Sequence, residues 1–254
     1  MGGGGKPSHS KGFTLAEVLI TLGIIGVVAA MTLPSIINRT QSKELQTQFK
    51  KAYSELNQAS RMFYNDYGIS VAEYAASNSN NYRSALFKYF KGAKVLSDWD
   101  WSDQDETGGN SSTTLYAIYT MTGSTRTNGY CDNGGFTSDV SGKMYLFNDP
   151  PASGKNGPVI CVDINGKKGP NRFGFDYFLF VFTTDGFVIP MGQAHPNNQN
   201  SDSLTNYNSF VTGSEFCRPT DNYRYQATCS YYAIADKNPQ GNGNYWQDFL
   251  GKNR

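Results

Sequence analysis

Three groups of residues have types and spacings that could do chemistry. The first is Glu17, a lone carboxylate at the head of the apolar run from Val18 to Asn38, 21 residues without a charge. A carboxylate there costs roughly 2.5–3.5 kcal/mol by insertion scales, less near an edge, so its useful chemistry is to pair with a cation or to snorkel to an interface. The second is Asp163-Ile-Asn165-Gly166, followed by Gly169-Pro170-Asn171 and Asp176. Asp163, Asn165 and Asp176 offer oxygens for calcium, a hard cation that takes six to eight. The same residues are ordinary turn formers that cap backbone N–H groups, Lys167 and Lys168 lie inside the loop, and no EF-hand pattern is present, so both readings stand. The third is the set Cys131, Cys161, Cys217 and Cys229. Four cysteines allow three pairings, of which Cys131–Cys161 and Cys217–Cys229 close the short loops, in an oxidising compartment. A zinc site would need His195 and has the wrong spacing.

Catalysis finds little support. A nucleophile–histidine–acid arrangement depends on His195, which stands before Pro196 in an Asn-rich stretch and reads as a solvated loop residue. No P-loop, zinc motif or G-x-S-x-G occurs in the chain. The expectation is a protein that is not an enzyme.

The elements that position these residues begin with the N-terminal segment. Residues 1–12 are polar, basic and glycine-rich, and the apolar run that follows can cross about 30 Å of hydrocarbon at 1.5 Å per residue. A cleaved secretory signal fits the basic start and the apolar run, with Val28-Ala29-Ala30 as its small-residue site, but leaves Glu17 unused. An ordinary membrane anchor leaves it unused as well. The peptide Lys11-Gly12-Phe13-Thr14-Leu15-Ala16-Glu17 and the helix after it instead resemble the type IV pilin superfamily, which includes the pseudopilins of type II secretion. That family carries a short basic leader ending in Gly, an aromatic first mature residue, a Glu four positions on and a long apolar helix. The resemblance implies cleavage by a prepilin peptidase between Gly12 and Phe13, methylation of Phe13, a helix-bending role for Pro34, and Glu17 as an assembly residue. Glu17 would then pair with the ammonium of a neighbouring subunit's Phe13 and set the stagger between subunits, since misregister leaves both charges unpaired in low dielectric.

Past Asn38, the residues Leu45, Phe49, Ala52, Leu56, Ala59 and Phe63 recur at spacings of three and four, the stripe of an amphipathic helix that Gly68 stops. A helix from Phe13 to Tyr67 is therefore expected. Tyr82–Val95 reads as a short helix and Ser102–Thr114 as a polar loop. Strands are expected over Leu115–Met121, Lys143–Phe147, Pro158–Ile164 and Tyr177–Thr183, the last turning at Asp185-Gly186 into Phe187–Pro190. The fold class is α+β: a long N-terminal helix, membrane-spanning in its first half, packed on an antiparallel sheet as a pilin-like roll. The parts are a leader (1–12), a transmembrane and polymerisation helix (13–37), an amphipathic continuation (38–68) and a globular periplasmic head (69–254) with a disulfide-braced C-terminal region. Tyr223, Tyr225, Tyr231, Tyr232, Tyr245 and Trp246 suit either a sugar- or protein-binding surface or the packing of a loop-rich core.

Composition bounds the partners. The chain has 254 residues, 22 basic and 21 acidic side chains and a formal net charge of +1, so no bulk attraction to nucleic acid is expected. Charged residues make up 17%, below the roughly 25% of soluble domains, and 17 Tyr and 16 Phe accompany many small polar residues. The resemblance implies a single-pass subunit of the bacterial inner membrane that assembles into a periplasmic or surface filament with homologous subunits through the N-terminal helix. Removal of residues 1–12 would leave 242 residues, long for a major pilin, which favours a type II secretion pseudopilin over a minor pilin for adhesion, motility or DNA uptake. A secreted or anchored carbohydrate- or protein-binding protein is the alternative of another class. No cofactor beyond calcium is expected.

Overall fold

A computed structural model describes residue 1 and residues 12–97, 117–124, 126–127, 131, 133–197 and 217–252. The chain forms two compact units, Met1–Gln41 and Ser42–Arg254. Helix α1 runs Leu15–Tyr67 and contributes to both. It ends where Gly68 adopts φ +72°, a left-handed conformation that glycine takes without steric cost.

In the first unit, large apolar side chains such as Leu19, Ile24, Val27 and Ile36 are exposed. Thr21 and Thr32 return their hydroxyl protons to the carbonyls of Val18 and Val28, both at 2.9 Å. These hydroxyls need no water, which suits a helix surrounded by hydrocarbon.

In the second unit α1 buries Phe49, Ala52, Leu56, Ala59 and Phe63, the stripe that the spacing predicts. After α2 (Val71–Ser77) and α3 (Tyr82–Phe87) the chain enters β1 (Lys94–Ser97). The helix expected over Tyr82–Val95 is thus shorter: the chain turns at Gly92, whose φ is +63°, and its remaining residues enter β1. The polar loop expected over Ser102–Thr114 lies outside the described residues, as do the first two residues of the Leu115–Met121 strand. The rest of that strand is β2 (Ile118–Tyr119), which pairs with β3 (Arg126–Thr127) in a small separate sheet and also bridges Arg172 through Tyr119.

The main sheet is antiparallel with strand order β1-β4-β5-β6-β7-β8, where β4 is Asn133–Ser138, β5 Met144–Phe147, β6 Val159–Asp163, β7 Tyr177–Phe182 and β8 Val188–Pro190. Its centre is buried on both faces. Ile160, Val162, Phe178 and Phe180 join the cluster that contains the α1 stripe, whereas Cys161, Leu179, Val181 and Phe173 join a second cluster on the opposite side. Continuous apolar runs therefore replace the alternating pattern of a half-solvated sheet. The C-terminal segment completes the helix side. Trp246 sits 5.3 Å from Phe49 and 5.7 Å from Phe178, and Tyr245 is fully buried. These two aromatics belong to the core and are no exposed binding surface, while Tyr223, Tyr225, Tyr231 and Tyr232 are half-buried.

Candidate assembly site at the start of the long helix

Gly12, Phe13 and Thr14 lie outside the helix, which begins at Leu15. Thr14 and Glu17 explain the boundary. The Thr14 N–H and hydroxyl both donate to Glu17 Oε2 at 2.8 Å, and the Glu17 N–H donates to Thr14 Oγ1 at 3.2 Å. This reciprocal pair is a capping box, in which each side chain satisfies the other residue's orphan N–H. It holds the Gly12–Phe13 peptide in non-helical backbone, with Phe13 exposed. It also places the Glu17 carboxylate on the N–H of Thr14, the residue after Phe13. Pro34 lies inside α1 and withdraws one donor from its hydrogen-bond ladder.

The oxygen-rich loop forms the corner between β6 and β7. Asp163 Oδ1 accepts from the N–H groups of Asn165 (3.1 Å) and Gly166 (2.7 Å), and a 3-10 turn follows at Gly166–Lys168. Asp176 accepts from the N–H groups of Asn171 (2.9 Å) and Arg172 (2.6 Å). Both carboxyl groups are buried. Burial, reinforced by the neighbouring Asp176 charge, pushes Asp163 well above the usual carboxylate range. Burial likewise pushes Asp176 up to about 6, against the pull of its N–H donors. The side-chain oxygens of Asn165 and Asn171 are buried without a hydrogen-bond partner. Among the described residues no group of three or more His, Cys, Asp or Glu could hold a metal ion.

The disulfides brace the two faces of the sheet. Cys131–Cys161 ties β6 into the second cluster across a sequence separation of 30. Cys217–Cys229, separated by 12, anchors α4 (Cys229–Ala235) within the helix-side cluster.

His195 is not a solvated loop residue. Its Nε2 lies 3.1 Å from Asp185 Oδ2 and its Nδ1 2.8 Å from Asn156 Nδ2, so the imidazole joins two loops.

Sequence reading overlooked the polar residues that fasten α1 to the sheet edge. Tyr53 Oη donates to the Val188 carbonyl (3.0 Å), Asn57 Oδ1 accepts from the Val188 N–H (3.0 Å), and Ser60 Oγ donates to the Gly186 carbonyl (2.9 Å). Spacings of four and three beside the apolar stripe were the available signal. On the same helix Glu55 meets Lys143 Nζ at 2.9 Å, and Lys143 also pairs with Asp139 at 2.8 Å, though its own side chain is only 4% exposed.

Comparison with known proteins bears on the N-terminal segment. Residues 7–33 match the model of the prokaryotic N-terminal methylation motif. Over 67 residues the chain is 34% identical to the fimbrial protein EcpC of Eikenella corrodens, covering 26% of this chain and 43% of that protein. The chain thus spans less than half the length of the curated relative it matches. No solved structure matches the chain.

Proposed function

We propose, for a chain that is type IV pilin-like from its methylation motif onward, that it is a structural filament subunit, cleaved after Gly12 and methylated at Phe13. One observation carries this reading: the motif at residues 7–33 opens a helix long and apolar enough to span a membrane, with none of its apolar span buried. Such a helix has to meet lipid or other copies of itself. The chain enters the inner membrane once with its second unit in the periplasm, and the exposed apolar half of α1 packs against homologous subunits. Of the machines such a subunit serves, we favour the type II secretion pseudopilus, on the size of the second unit. A minor pilin is the alternative.

In this reading the capping box gives Glu17 two successive tasks. It first ends the helix near the peptide to be cleaved, and then offers its carboxylate to the Phe13 ammonium of a neighbouring copy. Pro34 lets the helix bend as subunits pack. The mass of the mature N-terminus tests the route. A methylated Phe13 supports it, and a start at Met31 sinks it in favour of an ordinary signal peptide. Glu17→Ala should leave cleavage largely intact and reduce incorporation into filaments; filaments of normal yield overturn the role given to Glu17.

Calcium at the β6–β7 corner is a separate proposal. Asp163, Asp176 and the partnerless amide oxygens of Asn165 and Asn171 form an all-oxygen donor set, as a hard cation requires. Only four side chains are on offer, so water would complete the shell. A rise in melting temperature with added Ca²⁺, reversed by a chelator, supports it; an unchanged melting curve rejects it.

A further inference from the structure

The second unit holds a cleft that the filament reading leaves without a task. It measures about 820 Å³ and runs between α1 and the β7–β8 hairpin, a size common among ligand sites. Ser54, Gln58, Arg61 and Asn65 form its α1 wall. Their spacings of four, three and four put them within about 60° of one another around the helix, over roughly 16 Å of its length. All four are exposed, and their side chains enter no hydrogen bond or ion pair among the described residues. Among the described residues that line the cleft, Arg61 is the sole Lys, Arg, Asp or Glu.

The hairpin supplies the opposite wall. Phe187 is exposed, and the Arg61 guanidinium lies 5.3 Å over its ring. Stacking of this kind holds the guanidinium by its flat face and leaves the N–H groups along its edge free for a bidentate acceptor. Met62, also exposed, lines the cleft beside Arg61. Val188 belongs to the edge strand β8, but Asn57 Oδ1 takes its N–H and Tyr53 Oη its carbonyl, both at 3.0 Å. A ligand therefore finds no free backbone pair at Val188 to join as a further strand, and side chains must hold it.

We propose that this cleft binds the C-terminal end of an extended peptide, with the terminal carboxylate on Arg61. A single unpaired cation in an otherwise uncharged lining complements a ligand with one anionic group, and the guanidinium fork matches a carboxylate through two parallel bonds. The last side chain of the peptide is apolar and rests on Met62 and Phe187. The peptide groups before it meet Gln58 and Ser54, which can both donate and accept as a peptide bond requires. From Arg61 back to Ser54 is roughly 10 Å of helix, the span of about three extended residues. A sugar would need an open ring face to stack on, and Arg61 covers the Phe187 face turned to it. Every residue involved belongs to the second unit, so this site stands apart from the filament reading.

Two pools of fluorescein-labelled hexapeptides test the site on the full-length chain in detergent. Both are randomised at every position but the last, which is Leu, and one pool ends in the free acid and the other in the amide. By fluorescence anisotropy the acid pool should bind about tenfold tighter or more, the effect of one charge-assisted pair. Arg61→Gln should remove that preference and leave the melting temperature little changed, because the side chain it replaces is exposed. Phe187→Ala should weaken both pools alike through the lost apolar contact. Equal binding of the two pools, no binding of either at roughly millimolar peptide, or an undiminished preference in Arg61→Gln overturns the proposal. So does a glucuronate oligomer that competes better than the acid pool, which would assign the cleft to an acidic sugar.

Discussion

Asp163 and Asp176 give the second unit an unusual pH dependence. Both carboxyl groups have folded-state affinities for protons raised above the unfolded value, so the folded chain holds protons that the unfolded chain has released. Stability from this pair is fully present below about pH 4 and is lost as pH rises through about 6 for Asp176 and through the raised range of Asp163. Asp139 acts in the opposite sense. Burial raises its carboxyl, but hydrogen bonds from Lys143, Ser141 and Tyr145 outweigh that and hold it below the usual range. Its contribution is present above about pH 4 and lost as pH falls further. Melting curves of the full chain in detergent, with chelator present, should therefore show stability declining as pH rises through about 6. Asp163→Asn should flatten that decline; an unchanged slope would assign it to other groups. Lys143→Met should cost about 3 kcal/mol, because it strands Asp139 in a nearly closed site, and urea midpoints measure it.

The elements were unequally legible. The 53 residues of α1 could be read because two long signals agree, an uncharged apolar run and then a stripe of period 3.6. Strands β5 to β8 were legible as apolar runs between turn formers. Strand β4 was not, since Asn133-Gly134-Gly135 in its first half is poor in the residues that favour strands. Strand β1 was hidden behind a helix-like run that ends at the turn around Gly92, after which the chain pairs with β4. The fastening of α1 to the hairpin was also hidden, because Tyr53, Asn57 and Ser60 acquire their roles from backbone groups more than a hundred residues away. Asn57→Ala should cost about 1–3 kcal/mol by leaving the Val188 N–H without its acceptor. Phe49→Ala should cost about 3–5 kcal/mol, since its ring meets Phe178, Phe180 and Trp246. Chemical denaturation resolves both, and equal costs at the two positions would contradict this division between edge and core.

At the scale of the whole molecule, the disulfides compensate for a loop-rich composition. Their loops of 30 and 12 residues correspond to about 3–4 kcal/mol each in the chain-entropy picture. Replacing Cys217 and Cys229 with Ser should lower the unfolding free energy from urea titration by that amount. It should also loosen Trp246, because α4 and the C-terminal aromatics share the cluster that this bridge anchors; near-ultraviolet dichroism reads that change.

From the sequence alone came the motif at Gly12, Phe13 and Glu17, the span after it and the helical stripe. Each depends on neighbours a few residues apart, and local spacing is what a sequence displays. The capping of Glu17 by Thr14 was in principle readable the same way, as a Thr followed by a Glu at the third position. The burial of both acids at the β6–β7 corner and the inclusion of Trp246 in the core were decided by tertiary structure. They depend on strand order and on which faces are covered, and those follow from contacts between residues far apart in the chain.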